Sequence, residues 1–259
     1  MENVPGILSM GKGEVVKKVK KMYKDVGYVC RMERLLAAHY GVPQLRQRVF
    51  FIGTQDKKVK NLKIQKTHRE DLKQTTLFEE DANHAYLKVK DAISDILDEL
   101  PFTDDYSDDS TIPYSNPPQT KYQEYLRKDS NALYEHFAPS HGELVVKRIS
   151  FIKQGENHES LPEEYKLKSG YPNIYGRLHL NRPADTITGN CGCVSAPGRF
   201  IHPTKHRAIS VREAARFQSF PDHYRFFGNM TERYKQVGNA VPPLLAYAVA
   251  KAIKQLAID

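Results

Sequence analysis

Three polar side chains alternate along Tyr40-Gly-Val-Pro-Gln-Leu-Arg-Gln-Arg-Val-Phe-Phe-Ile-Gly53: Gln44, Arg46 and Arg48. A guanidinium presents its donors in a rigid fork that suits carbonyl and phosphate oxygens. The same spacing also describes a basic surface ahead of a strand. Glu2 offers a carboxylate, and taken alone it reads as a solvated acid. Cys191 and Cys193 place two thiols one residue apart with no second pair, which is too little for a zinc site, so no metal is expected. Residues 189–200 form a glycine-punctuated stretch that could enter a groove and touch base edges, with Asn190 and Arg199 as donors. Thr186 suits a β-strand. Asn239 suits a helix cap. Cys30 reads as a structural cysteine in an apolar setting.

The elements that would position these groups follow from periodicity. Val15, Val16, Val19, Met22, Tyr23 and Val26 recur at helical spacing over residues 13–26, with lysines on the other face. Residues 28–35 and the apolar run 48–53 predict strands, so a strand–helix–strand layer is expected. Residues 55–85 read as a polar connection. A short helix on Val89, Ala92, Ile93, Ile96, Leu97 and Leu100 follows. Residues 102–120 read as a loop, 143–153 as a helix, and 165–206 as short strands and long turns. Ser210-Val-Arg-Glu213 fits a capping box opening a helix that runs to about Ser219 and stops before Pro221. Asn239 would cap the final helix, whose stripe is Val241, Leu244, Leu245, Ala248, Val249, Ala252, Ile253 and Leu256.

Composition sets wide limits. A hydrophobic fraction of 40% permits a core of normal size. The net charge of +8 favours a polyanionic partner without proving one. With three cysteines the chain cannot hold a disulfide framework and reads as intracellular, hence cytoplasmic. No apolar run reaches a membrane-spanning length, so no membrane partner is expected.

Four segments, in order, resemble the DNA (cytosine-5-)-methyltransferases. They are Glu2-Asn3-Val4, residues 40–53, Arg207-Ala-Ile-Ser-Val-Arg-Glu-Ala-Ala-Arg-Phe-Gln-Ser-Phe-Pro-Asp222 and Gln236-Val-Gly-Asn-Ala-Val-Pro-Pro-Leu-Leu-Ala246. The last two words are the most specific. Tyr175-Gly-Arg-Leu-His and Arg182-Pro-Ala-Asp-Thr-Ile-Thr188 look like the end of the family's target-recognition region, while residues 55–170 match loosely. The resemblance implies methyl transfer from S-adenosylmethionine to C5 of a cytosine flipped out of duplex DNA, in a restriction-modification setting. It implies that Glu2 faces N3 and the exocyclic amine, that Arg48 contacts the flipped nucleotide with Arg46 in support, and that Gln44 helps fill the space the base leaves. It further implies a phosphate contact at Thr186 with Ile187 packed inward, bracing roles for Arg207, Glu213 and Arg216, and Asn239 and Ala240 beside the cofactor.

Two family features are missing from this sequence: the Phe-x-Gly-x-Gly cofactor loop and the Pro-Cys pair that supplies the nucleophile. None of the three cysteines follows a proline. The expectation is therefore an α/β chain: the C-terminal part of a Rossmann-like methyltransferase domain with a smaller, β-containing target-recognition domain. Residues 1–85 would end the catalytic domain, 86–222 would form the recognition domain, and 223–259 would return to the catalytic domain. The cofactor pocket would be incomplete, and the final helix would stay partly exposed or meet an N-terminal partner piece. The chain would be inactive without that piece. The alternative is a non-catalytic DNA-binding remnant.

Overall fold

The structure is a computed structural model that describes residues 1–55, 57–70, 84–98, 100–101, 110–168, 171 and 173–258. In chain order its elements are β1 (Glu2–Asn3), α1 (Glu14–Asp25), β2 (Val29–Leu36), β3 (Gln47–Thr54), β4 (His68–Arg69), β5 (His84–Ala85), α2 (Val89–Ile93), β6 (Thr111–Pro113), α3 (Lys121–Arg127), β7 (Ala132–Tyr134), α4 (Glu143–Phe151), β8 (Gly176–Arg177), β9 (Arg199–Ile201), α5 (Val211–Phe217), α6 (Met230–Asn239) and α7 (Pro243–Ile258). Parts of the connections expected over 55–85 and 102–120 lie outside the described residues. Among the described residues no helix is long and apolar enough to cross a membrane.

The chain divides into two compact units, the first made of Met1–Gly41, Leu45–Ala85 and Leu244–Asp259, the second of Val42–Gln44 and Tyr86–Pro243. The second unit continues past residue 222 to Pro243, because α6 packs on α5.

In the first unit β3 lies between β1 and β2 and runs antiparallel to both. β1 and β2 are therefore parallel, joined over α1, and β3 is inserted between them. The expected strand–helix–strand layer is thus present with its third strand reversed. The apolar residues of β3 are what make it central: Val49, Phe50, Phe51 and Ile52 are all buried. α1 covers one face by laying Val15, Val16, Val19 and Tyr23 on Ile7, Val49 and Phe51. Its lysines stay in water, as a solvated face should. In α7, Leu245, Val249 and Ala252 are buried, while Ile253 is 38% and Tyr247 66% exposed. The stripe predicted for this helix is only partly covered.

The second unit is built of short helices and two-stranded ladders. The helix expected near residues 89–100 is α2 followed by a 3-10 turn over Ser94–Ile96. Its core includes Ile149, Ile152, Leu161, Ile174, Tyr175, Val194, Ile201 and Ala208. α5 begins at the expected capping box: Glu213 N–H donates to Ser210 Oγ at 3.1 Å, and Ser210 N–H donates to Glu213 Oε2 at 2.7 Å. It ends at Phe217, and Ser219 takes a positive φ of 63°. α6 is an element the periodicity does not announce. Asn229 opens it with a second capping box, paired with Glu232 at 2.9 and 3.0 Å. Asn239 is consequently the last residue of α6 and not the cap of the final helix, because three non-helical residues separate it from α7.

Candidate active site

In the first unit the site is one charge pair on neighbouring strands. Glu2 pairs in register with Phe50, so its side chain shares a sheet face with that of Arg48, two residues away. Arg48 Nε lies 2.7 Å from Glu2 Oε1, and Arg48 Nη1 donates to Gln47 O at 2.8 Å. The side chain of Arg48 is 8% exposed and that of Glu2 27%. Burial pulls the guanidinium below its ordinary pKa, and the charge of Glu2 offsets part of that shift. Arg46 is completely buried just ahead of β3, where its carbonyl accepts from Ala37 N–H at 2.8 Å. Neither arginine is the solvated basic surface that composition alone allows.

In the second unit Gln44 is also completely buried. It forms a parallel bridge with Ala184, and Ala184 N–H donates to Pro43 O at 2.9 Å. Its amide is engaged at both ends, by Ile187 N–H at 2.9 Å and by Phe217 O at 3.0 Å. Ile187 packs inward and Thr186 is half-buried. Asn190 is exposed in a turn closed by Cys193 N–H donating to Asn190 O at 2.9 Å.

Arg199, one of the two expected donors, is bonded within the protein. Its Nη1 donates to Gly155 O at 2.8 Å and to Glu156 O at 3.2 Å, and its Nε lies 3.1 Å from Asp185 Oδ2. It holds β9 to the 155–156 turn and to the segment bearing Thr186.

The 188–192 turns lie directly against α6. A Cβ built on Gly238 would sit 2.1 Å from the Thr188 carbonyl carbon, and one on Gly192 would sit 2.3 Å from the Tyr234 ring. Only glycine allows that approach. At the end of α6 Asn239 is exposed and Ala240 half-buried, so this corner offers an amide side chain and a small apolar edge to a ligand.

Beneath these segments α5 carries a buried ionic web. Arg207 pairs with Glu213 through two bonds of 2.7 and 2.8 Å. Arg216 pairs with Asp222 and, at 2.6 Å, with Asp95. Arg212 pairs with Glu135. Burial alone would raise Glu213, but Arg207 overrides it and holds the carboxyl well below the usual range. Burial pushes His136 down to about 4 and His202 down to about 3. Arg177 donates to the carbonyls of Ile149, Ile152, His202 and Lys205, closing the end of α4. Glu135, Asp95 and Arg212 stand outside the motif roles, and a charged residue at 0% exposure is a property only the fold reveals.

Burial pushes both Cys30 and Cys191 up, against the direction a nucleophilic thiolate needs, and Cys193 is exposed with its Sγ 3.1 Å from Ser195 Oγ.

Residues 1–255 match the C-5 cytosine-specific DNA methylase family. The chain is 36% identical to the type II methyltransferase M.DdeI of Desulfomicrobium norvegicum, over 98% of its own length and 61% of that relative's. It is 30% identical to the type II methyltransferase M.AgeI of Thalassovita gelatinovora, over 98% of the chain and 72% of the relative. It thus spans about three-fifths of M.DdeI. A crystal structure described as a prophage-encoded DNA modification methyltransferase (E. coli) superposes with a TM-score of 0.69 at 24% identity, over 100% of this chain and 69% of that one. The fold is accordingly the α/β methyltransferase fold.

Proposed function

This chain belongs to the C-5 cytosine-specific DNA methylase family, and on that premise we propose that it supplies the nucleotide-holding and DNA-reading part of a cytosine-5 methyltransferase of a restriction-modification system. What carries the proposal is the Glu2–Arg48 pair: two residues far apart in sequence meet at 2.7 Å in a largely buried setting. There a carboxyl can face N3 and the exocyclic amine of a flipped cytosine, beside a guanidinium fork for its O2 and flanking phosphate. Arg46 supports that fork. Gln44 holds the segment ahead of it in place next to the vacated base position. Thr186 contacts a phosphate, and Asn190 reads DNA from the exposed turn. Arg199 acts at the same surface by holding β9 and Asp185, and it reaches DNA only if it leaves them.

S-adenosylmethionine would supply the methyl group. Asn239, exposed, and Ala240, half-buried, would form one edge of its site. Cytosine C5 becomes nucleophilic when a thiolate adds to C6, and the raised thiols of this chain do not serve. A complementary segment with a glycine-rich loop and a Pro-Cys pair is therefore part of the proposal. The exposed Ala246, Tyr247, Ala250 and Ile253 of α7 offer it an apolar face.

The test is to combine the chain with the N-terminal segment of M.DdeI or a similar relative, duplex DNA and labelled S-adenosylmethionine. Methyl transfer that requires both pieces is the expected result; none with any such segment would reject the proposal. The raised thiols of Cys30 and Cys191 favour a second reading, a DNA-binding part without catalysis. It predicts duplex binding by the chain alone, falling steeply with salt, and no transfer in any combination.

A further inference from the structure

Gln44 and Gln218 are both completely buried, and their amides form a hydrogen-bonded chain with a single direction. Ile187 N–H donates to Gln44 Oε1 at 2.9 Å. Gln44 Nε2 donates to Gln218 Oε1 at 3.2 Å as well as to Phe217 O. Gln218 Nε2 then donates to Val237 O at 2.8 Å, in the last turn of α6.

An amide's oxygen and nitrogen ends are nearly the same in shape, so its orientation is set by its partners. Here the two ends of the chain are backbone groups of opposite kind. The N–H of Ile187 requires an oxygen, and the carbonyl of Val237, which also accepts from Ala240 N–H at 3.3 Å, can meet only the NH2 end of Gln218. Turning either side chain around would set like against like in a buried place, where an unmade bond costs most. The orientation of one glutamine therefore dictates that of the other.

We propose that Gln44 and Gln218 are a positioning pair. Through this oriented relay they set the register of the 186–188 segment against the C-terminal turn of α6, and they transmit any displacement of Gln44 to both. Thr186 adjoins one end of the relay and Asn239 lies two residues beyond the other. The close approach of Gly238 to Thr188 leaves the two backbones no slack to absorb a shift. That this register serves methyl transfer rests on the function proposed above; the relay itself does not.

Native-state hydrogen exchange on the full chain tests it. Gln44→Met should speed exchange at the Ile187 amide at least tenfold, on the order expected for one lost bond. Gln44→Glu keeps an acceptor for Ile187 but no donor, so Gln218 should turn its NH2 toward residue 44 and abandon Val237. Ile187 should then stay protected while the last turn of α6 exchanges faster, as it should in Gln218→Met. Equal acceleration at both places in all three variants, or in neither place, would overturn the relay. Should Gln44→Met fail to fold, the opposite responses expected of Gln44→Glu at the two ends still decide. In the assembled enzyme Gln44→Glu should lower methyl transfer about tenfold. Unchanged transfer alongside the expected exchange pattern would confine the pair to folding. A wild-type assembly without any transfer would instead reject the proposed function and leave the exchange result standing.

Discussion

Arg48 is held in a desolvated place by one carboxylate, and the two groups are useful to each other before any ligand arrives. Glu2→Gln keeps the shape and an oxygen but removes the charge that offsets the burial of Arg48. In an assembled enzyme it should lower methyl transfer about a hundredfold, the scale of losing one charge-stabilising group. Unfolding should show a smaller effect, about 1–2 kcal/mol, because Glu2 keeps partial contact with water. Arg48→Lys retains the charge and loses the planar fork, so transfer should again fall while the urea midpoint changes little. Single-turnover methylation and urea denaturation of each variant separate the two effects. The inward packing of Ile187 is legible in the sequence because it sits in a short, distinctive word, and the roles proposed for Glu2 and Arg48 rest on such words too. The commitments of Gln44 and Arg199 are not legible there. Gln44 is bonded to groups 143 and 173 residues later, and no local pattern indicates them.

At the scale of elements, contact between the 188–192 turns and α6 depends on two missing side chains. Gly238→Ala would place a methyl group 2.1 Å from the Thr188 carbonyl carbon. Backbone lines that contact, so overpacking should cost at least the usual 1–3 kcal/mol, about the top of that range. The urea midpoint should drop with the m-value unchanged. Ser210→Ala removes the cap of α5 and should cost about 1 kcal/mol; a midpoint equal to wild type would show that Glu213 alone holds the helix start. β3 and α5 are readable from the local sequence, because β3 is an apolar run that the fold buries and α5 has a visible cap; α1 and β2 are only half-buried, and Met22 and Val26 of the expected stripe are exposed. α6 escapes a test of apolar spacing: its buried residues include Arg233 and Gly238 as well as Tyr234 and Val237. What marks it is the Asn229–Glu232 capping box, a signal of ends and not of faces.

For the whole molecule, the ionic web makes acid the natural denaturant. His136 and His202 are neutral in the fold, with values of about 4 and about 3 against 6.5 in an unfolded chain. A base whose folded pKa is depressed contributes full stability above pH 6.5, and that contribution is lost as pH falls toward the folded value. Glu213, held low by Arg207 despite its burial, adds stability above its ordinary 4.5 and loses it below. All three act in the same direction. The unfolding midpoint should begin to drop just under pH 6.5 and steepen below 4.5, which thermal melts across pH 3–8 would reveal. His202→Asn should flatten the upper part of that profile.

The first unit draws on Met1–Gly41, on Leu45–Ala85 and on α7, with the Tyr86–Pro243 stretch of the second unit lying between them in the chain. A ribosome releases these pieces in order. β1, β2 and β3 emerge early, yet the helix that belongs with them arrives only after the second unit has been made. During synthesis the two earlier pieces of the first unit are therefore without the third until the second unit has been made.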